Sequence, residues 1–378
     1  MSTAYPKPPE TVRDFFRRFP DDAACAAYLF QLRWPDGYTC PKCGSKRAYK
    51  LAKPPGAVEC ENHHKVSVTA GTGLHRTKVN LQDWFHAAWL LATLKPGISA
   101  VQFQRQTGTN RLETAWAMLH KLRSRLVAPS RDKLTTECSD PRHRWHWIEV
   151  DHVEIGGEQS QESRRRKGSN KASVIVAVEV HAWLAEPGDN EPDTIEPGAD
   201  AAKPRKSKSH RGAKTSVETG AMLRTKAGRC RMRVANSMTQ DYSLYWMMEN
   251  IERNSVLVTD SHKSLAYHAR AGMRTREVIN AATHADPLPT IGRVTTNLKR
   301  WLEGTHKGAV RTQHLQAYLN EFVFRFNRRD IPWIAFNRVL GLAMLGAEPV
   351  TYSGLYKHTW VHPNPDPAAL ARAQGLLP

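Results

Sequence analysis

Residues 147–157 form a β-branched run, Trp-Ile-Glu-Val-Asp-His-Val-Glu-Ile-Gly-Gly, with an acidic side chain, Asp151, where a buried strand normally carries none. A carboxylate at a strand centre is costly to desolvate unless something cationic meets it. Residues 255–262 have the same grammar, an apolar strand that ends in Asp260. Two strands that each bring one Asp to a common place suggest a shared cation. Hard divalent ions such as Mg²⁺ take oxygen ligands, commonly one or two carboxylates with water and phosphate oxygens. Taken singly, each Asp also suits the cap of the helix or turn that follows its strand. The rest of the chain has to decide between these readings.

Charge narrows the partner. The 378 residues, enough for two or three domains, hold 55 Lys and Arg against 36 Asp and Glu, a formal net charge of +19. Such an excess points to a polyanion, either nucleic acid or an anionic membrane surface. No apolar run approaches the roughly 20 residues of a membrane span, and the first residues lack the apolar core of a signal peptide. Nucleic acid therefore leads, no membrane is expected, and a cytoplasmic setting fits. Of six cysteines, Cys40, Cys43 and Cys60 sit close together while Cys25, Cys138 and Cys230 are scattered. That is not the pattern of a disulfide framework, and a reduced compartment suits it better.

The clustered cysteines read as a metal site. Cys40 and Cys43 form a C-x-x-C knuckle followed by Gly44, and sixteen residues later Cys60 opens C-x-x-H with His63, or C-x-x-x-H if His64 is used. This spacing suits a zinc ribbon, and four protein ligands leave no open position, so the Zn²⁺ is structural. A redox C-x-x-C would need a βαβ setting, and the flanks here are loop-like. Helical signals precede the ribbon over residues 8–33, which makes 8–80 a first segment of helices and ribbon. In residues 81–127, an apolar helix to 94 is broken by Lys95-Pro-Gly. A short helix over 98–107, a Gly-containing turn at 108–110 and a longer helix over 111–126 then fit helix-turn-helix, with Asn110 and Arg111 at base edges. A plain helical hairpin has the same pattern.

From residue 145 the character changes to short β-branched runs at 145–153, 172–181, 229–235 and 255–259, with a helix over 240–253 before the last and a further helix and strand after it. This is a mixed-sheet α/β pattern. An insert at about 185–225 is acidic and Pro/Gly-rich, then strongly basic, and its composition predicts disorder. The basic run Arg164, Arg165 and Arg166 follows the first strand and is the better candidate for holding backbone phosphates. After Pro289 helices return, with the stretch 296–303 expected to end at Gly304. Glu321 and Arg325, four apart, are placed to pair along one face.

The order of these parts resembles insertion-sequence transposases of the ISXO-like group. The segments that carry the likeness are 33–44, 67–72, 114–120, 149–157, 258–260 and 318–329. The resemblance implies a multidomain α/β chain. An N-terminal zinc ribbon and helix-turn-helix precede an RNase-H-like mixed sheet flanked by helices, the last spanning 145–345. It implies a metal triad, two positions of which Asp151 and Asp260 match. The third falls on a later helix, at Asn297, with Glu303 as the alternative. Glu303 is about 600° further round the helix, so the two do not serve one site. Lys299 falls in the same segment and is expected to contact DNA. His262 and Lys263 are candidates for orienting a phosphate. The implied chemistry is phosphoryl transfer with two Mg²⁺ or Mn²⁺ ions, which cleaves and joins DNA at the element's terminal inverted repeats. A homodimer or larger assembly on double-stranded DNA, in a nucleoid-associated setting, is expected from the family. The competing reading is a DNA-binding regulator whose α/β domain is catalytically inactive. Asn297, neutral where a carboxylate is usual, keeps it open.

Overall fold

The computed structural model describes residues 6–127, 132–137, 143, 145–155, 171–185, 222–235, 239–260, 263–278, 288–307, 310–345 and 351–357. They fall into two compact units. The first holds the described residues within 1–131 and 299–366, the second those within 132–155 and 171–298.

The first unit is helical around a small sheet. Helices α1 (Val12–Arg18) and α2 (Asp22–Arg33) begin where Thr11 and Asp21 accept the amides of Asp14 and Ala24, the side-chain caps that start helices. Strands β1 (Ala48–Lys50), β2 (Ala57–Cys60) and β3 (Lys65–Ser67) form an antiparallel ribbon. Then come α3 (Leu81–Thr93), α4 (Ala100–Thr107) and α5 (Leu112–Arg125). Ser99 caps α4, which ends at Gly108 in the left-handed conformation, φ 68°. A side chain is strained there and glycine is not. The expected helix–turn–helix order is therefore present in α4 and α5.

The chain closes this unit with α8 (Thr312–Phe326), α9 (Pro332–Met344) and α10 (Tyr352–Tyr356). Helix α9 packs on α2, α3 and α5, and α8 packs on α5. Phe336 of α9 sits among Phe19, Phe85 and Trp89, with ring centroids 5.7–6.0 Å apart. Beside this aromatic core lies a fully buried ion pair. Arg123 donates through Nε to Glu321 Oε2 at 2.6 Å, and Arg325 approaches the other oxygen at 3.5 Å. Arg123 also donates to the Ile98 carbonyl, and Arg325 to those of Leu94 and Lys95. The expected Glu321–Arg325 pair is present, with Arg123 as its stronger partner. The packing departs from the expected segments 8–80, 81–127 and 145–345. Helices α8 and α9 are amphipathic, and they bury their apolar faces against α2, α3 and α5 rather than within the unit that contains the large sheet.

The second unit is a five-stranded mixed sheet in the order β6-β5-β4-β7-β8. Its strands are β4 (Trp145–Ile155), β5 (Ala172–Ala185), β6 (Met222–Val234), β7 (Val256–Thr259) and β8 (Thr275–Val278). The first three are antiparallel neighbours, and β7 and β8 add in parallel. Strand β6 begins at Met222, seven residues before the run at 229 that signals it, because its partner β5 extends to Ala185 and the pairing continues along it. Glu179 on β5 binds the Arg229 guanidinium at 2.7 Å and the Thr135 amide at 2.9 Å. Helix α6 (Gln240–Asn250) covers one face, burying Tyr242, Trp246 and Met247 against Ile148, Val150, Ile175 and Leu257. Where a helix was expected from 265, the chain makes a 3₁₀ turn, Lys263–His268. Helix α7 (Pro289–His306) starts on the opposite face of the sheet and runs to residue 298 within this unit. Gly304, expected as a stop, lies inside α7. Of the insert expected at about 185–225, Ala185 ends β5 and residues 222–225 open β6, while 186–221, the run Arg164 to Arg166, and His262 lie outside the described residues.

Candidate functional site

The ribbon brings four ligand atoms together. One sulfur or nitrogen from each of Cys40, Cys43, Cys60 and His64 lies within 4.8 Å of the others. Among the described residues this is the only group of three or more Cys, His, Asp or Glu so arranged. The Sγ atoms of Cys43 and Cys60 are 3.7 Å apart, and Cys60 Sγ is 3.6 Å from His64 Nδ1. A tetrahedral Zn²⁺ with its usual bond lengths sets sulfur atoms about 3.8 Å apart and sulfur and nitrogen about 3.6 Å apart. The donor set therefore fits zinc in both chemistry and spacing. Burial works against the Cys40 thiolate, but the amides of Lys42 and Cys43 point at its sulfur and outweigh that, bringing the thiol down to about 6.

The histidine is His64, which corrects the expectation of His63. The amide of His63 closes a turn onto the Cys60 carbonyl at 2.9 Å, and the residue takes φ 57°. Its ring turns out to solvent, 89% exposed, and meets Glu59 at 3.1 Å. The chain then doubles back as β3 begins, and the next residue inherits the inward direction.

The acidic pair arises from strand register. Strand β4 pairs with β7 in parallel at Ile148–Leu257, Glu149–Val258 and Val150–Thr259. One step further along this register sets Asp151 beside Asp260, just past the end of β7. Side chains alternate along a strand, so the faces of β4 can be assigned. Ile148 and Val150 lie in the α6 core, and His152 Nε2 lies 3.1 Å from Ser243 Oγ of α6. Glu149 and Asp151 therefore point to the other face. Asp151 is half-buried. Burial first, and then the charge of Asp260, lift its carboxyl to about 6; Glu149 adds to this, while the His152 amide, 2.7 Å from Oδ1, opposes it. A carboxylate raised by a second carboxylate beside it marks an oxygen-rich place suited to a hard divalent cation. A bound cation would reverse the shift.

Sequence reasoning gave Glu149 no role, yet it organises this face. The residue is 1% exposed, and its Oε2 accepts the amide of Ile291 at 2.8 Å. The amide and hydroxyl of Thr290 bond to it as well. These amides belong to the first turn of α7, which has no partners within the helix. A strand carboxylate thus caps the helix from outside, and its charge suits the positive end of the helix dipole. Burial nonetheless pushes the Glu149 carboxyl up. The signal for this role was present in the sequence: a second acid two residues before Asp151, on the same side of the strand.

Helical geometry then relates α7 to this face. Asn297 comes seven residues after Thr290, about 700° of turn, so it lies within about 20° of the same side of the helix. It is exposed. Lys299 is about 200° further round and Glu303 about 240° beyond Asn297, both away from that side. In the first unit, Asn110 and Arg111 are exposed where the turn enters α5, and Arg111 occupies its N-cap position.

In comparison with known families, residues 146–327 match the ISXO2-like transposase domain and residues 20–64 the transposase zinc-ribbon domain. The first match takes in the whole large sheet with α6, α7 and α8. The second includes all three clustered cysteines and ends at His64. No curated protein and no solved structure matches the chain. Among the described residues, no helix is long and apolar enough to cross a membrane.

Proposed function

This chain belongs to the ISXO2-like transposases, and from that premise we propose that it cleaves and joins DNA at the terminal inverted repeats of an insertion sequence. The observation that carries the reading is the placement of Asp151 within β4 and Asp260 just past the end of the adjacent parallel strand β7, close enough for the charge of Asp260 to act on Asp151. Asp151, Asp260 and the amide oxygen of Asn297 are the residues that would hold Mg²⁺ or Mn²⁺. Asn297 is preferred to Glu303 because it shares the side of α7 on which Thr290 meets Glu149. Two such ions supply Lewis acidity at the scissile phosphate and a more acidic water.

The protein's own contribution is position. Glu149 holds the start of α7 against β4. The half-buried setting of Asp151 keeps its carboxylate in a low-dielectric place, where it attracts a cation more strongly than in water. Helices α4 and α5 are proposed to read the element ends, with Asn110 and Arg111 at base edges. Lys299 and the run Arg164 to Arg166 would hold backbone phosphate. The ribbon is proposed to support that recognition through a structural Zn²⁺. A dimer or larger assembly on paired ends is part of the same proposal.

The test is Mg²⁺- or Mn²⁺-dependent cleavage and strand transfer on DNA that carries the element's ends. Asp151→Ala, Asp260→Ala and Asn297→Ala should each abolish or strongly reduce turnover while end binding persists. Glu303→Ala should leave turnover near the wild-type level. A purified chain that binds the ends but never cuts them with either metal would instead be a DNA-binding regulator, the reading that the neutral Asn297 keeps open.

A further inference from the structure

We propose that a cavity in the first unit, between the start of α5, the start of α8, and α10, receives one unpaired nucleobase of bound DNA. The base would stack on Tyr352 and Tyr356, with Arg311 at the adjoining phosphate. The cavity measures about 250 Å³ and is lined by aromatic side chains and two of opposite charge, Glu113 and Arg311. Its floor is Trp116, whose indole stacks on His120 at 4.0 Å and meets His314, Tyr352 and Tyr356 edge-on at 5.2, 5.8 and 6.2 Å. The two tyrosines are 43% and 47% exposed, and their rings lie 19° from parallel with centroids 6.0 Å apart. Large aromatic rings left this open, side by side over a cavity, offer the flat apolar face on which a base stacks. Such stacking accepts any base, since every base has a π-face.

Location and charge select a nucleobase over other flat or apolar occupants. Leu112 and Glu113, which line the cavity, open α5, the second helix of the helix-turn-helix pair. The end of α5 read as meeting DNA is therefore also a wall of the cavity. The exposed cations Arg111, Arg311 and Lys357 flank the lining residues in sequence or belong to them, as phosphate on either side of an inserted base requires. Glu113, the one acid of the lining, is suited to accept from an exocyclic amine, which cytosine and adenine carry and thymine lacks. An extruded base pays least in lost pairing when it is already unpaired, so strand ends and nicked or frayed termini are the substrates that fit. The inference rests on the reading of α4 and α5 as a DNA-contacting pair, which the controls below test separately.

The experiment compares the full-length chain on three labelled DNAs of one sequence: a fully paired duplex, the same duplex with one unpaired cytosine, and that duplex with an abasic site in its place. The unpaired cytosine should tighten binding about tenfold over the paired duplex, in the range of one base–aromatic stack, and the abasic site should remove the gain. Tyr352→Ala combined with Tyr356→Ala should lose the preference yet bind paired duplex as wild type does. The corresponding pair of Phe variants should keep it. A 5-bromouracil at the unpaired position should photocrosslink within residues 351–357. Equal affinity for the three DNAs, or a preference that survives the double Ala variant, overturns the proposal. So does a double Ala variant whose only change is loss of self-association, since the cavity would then hold a side chain of a second copy. Failure to bind paired duplex at all would instead overturn the helix-turn-helix reading on which the proposal rests.

Discussion

Glu149 offers the sharpest test of how the fold serves the site. Its carboxylate is buried and accepts the Ile291 amide at 2.8 Å, together with the amide and hydroxyl of Thr290. In Glu149→Ala these donors lose their acceptor in a place water does not reach. Each orphaned buried donor costs about 1–3 kcal/mol, and partial rearrangement of the first turn of α7 lowers the sum, so we expect a loss of about 3 kcal/mol. Glu149→Gln keeps one carbonyl oxygen for the amides and sheds the desolvation cost of the charge. We expect it to cost about 1 kcal/mol or less at neutral pH. The two variants should also differ with pH. The folded carboxyl is raised by burial, so the folded chain holds this proton more tightly than the unfolded chain does. The stability it contributes is therefore present at low pH and lost as pH rises through the folded pKa. Glu149→Gln removes that dependence. Urea denaturation with hydrogen exchange on the amides at the start of α7 reads both effects. Glu149→Ala should expose these amides and depress DNA cleavage more than DNA binding, because α7 carries Asn297. If Glu149→Ala unfolds at the wild-type urea concentration with the start of α7 still protected, the strand carboxylate does not anchor the helix and the argument for Asn297 falls with it.

Metal analysis of the purified chain should return one zinc per chain. His64→Ala should lose it, and His63→Ala should retain it, since the His63 ring faces solvent. In the second unit, Asp151 is held at about 6 without metal, so Mn²⁺ must displace a proton below that pH. Affinity measured by calorimetry should rise about tenfold from pH 5 to 7 and flatten above pH 7. Asp260→Asn removes one of the charges that raise Asp151 and should move the rise to lower pH. In the helical unit, Glu321→Ala leaves the fully buried Arg123 uncompensated and should cost about 3–5 kcal/mol, whereas Glu321→Leu combined with Arg123→Met should recover most of the loss. Thermal unfolding of the three chains decides this, and an equally unstable double variant would show that the pair's hydrogen bonds, not its buried charge, carry the effect.

Much of the local structure was readable along the chain because the signals are local. Ser99 and Gly108 mark the ends of α4, and the apolar run over 81–94 becomes α3 almost to the residue. The β-branched runs with Asp151 and Asp260 become neighbouring strands. Errors came where two local signals compete. Both His63 and His64 sit at a workable spacing from Cys60, and only the backbone of the turn decides which faces the sulfurs. Glycine at 304 suggested a helix end, but nothing crowds that position and the helix continues. The start of β6 depends on its pairing with β5, which local composition does not register.

What the amino-acid order determined by itself is the kind of chain this is: a thiolate and imidazole knuckle, a helical pair with a tight turn, and acid-bearing strands in a strongly basic polymer. These follow from spacing, periodicity and charge, properties of residues within a few positions of one another. Tertiary structure alone decided that α8 and α9 complete the helical unit, that His64 turns inward, and that Glu149 ties α7 to β4. Each depends on groups separated by up to hundreds of residues meeting in water-free surroundings. There, the demand that every buried donor and charge find a partner selects one arrangement from many with the same local pattern.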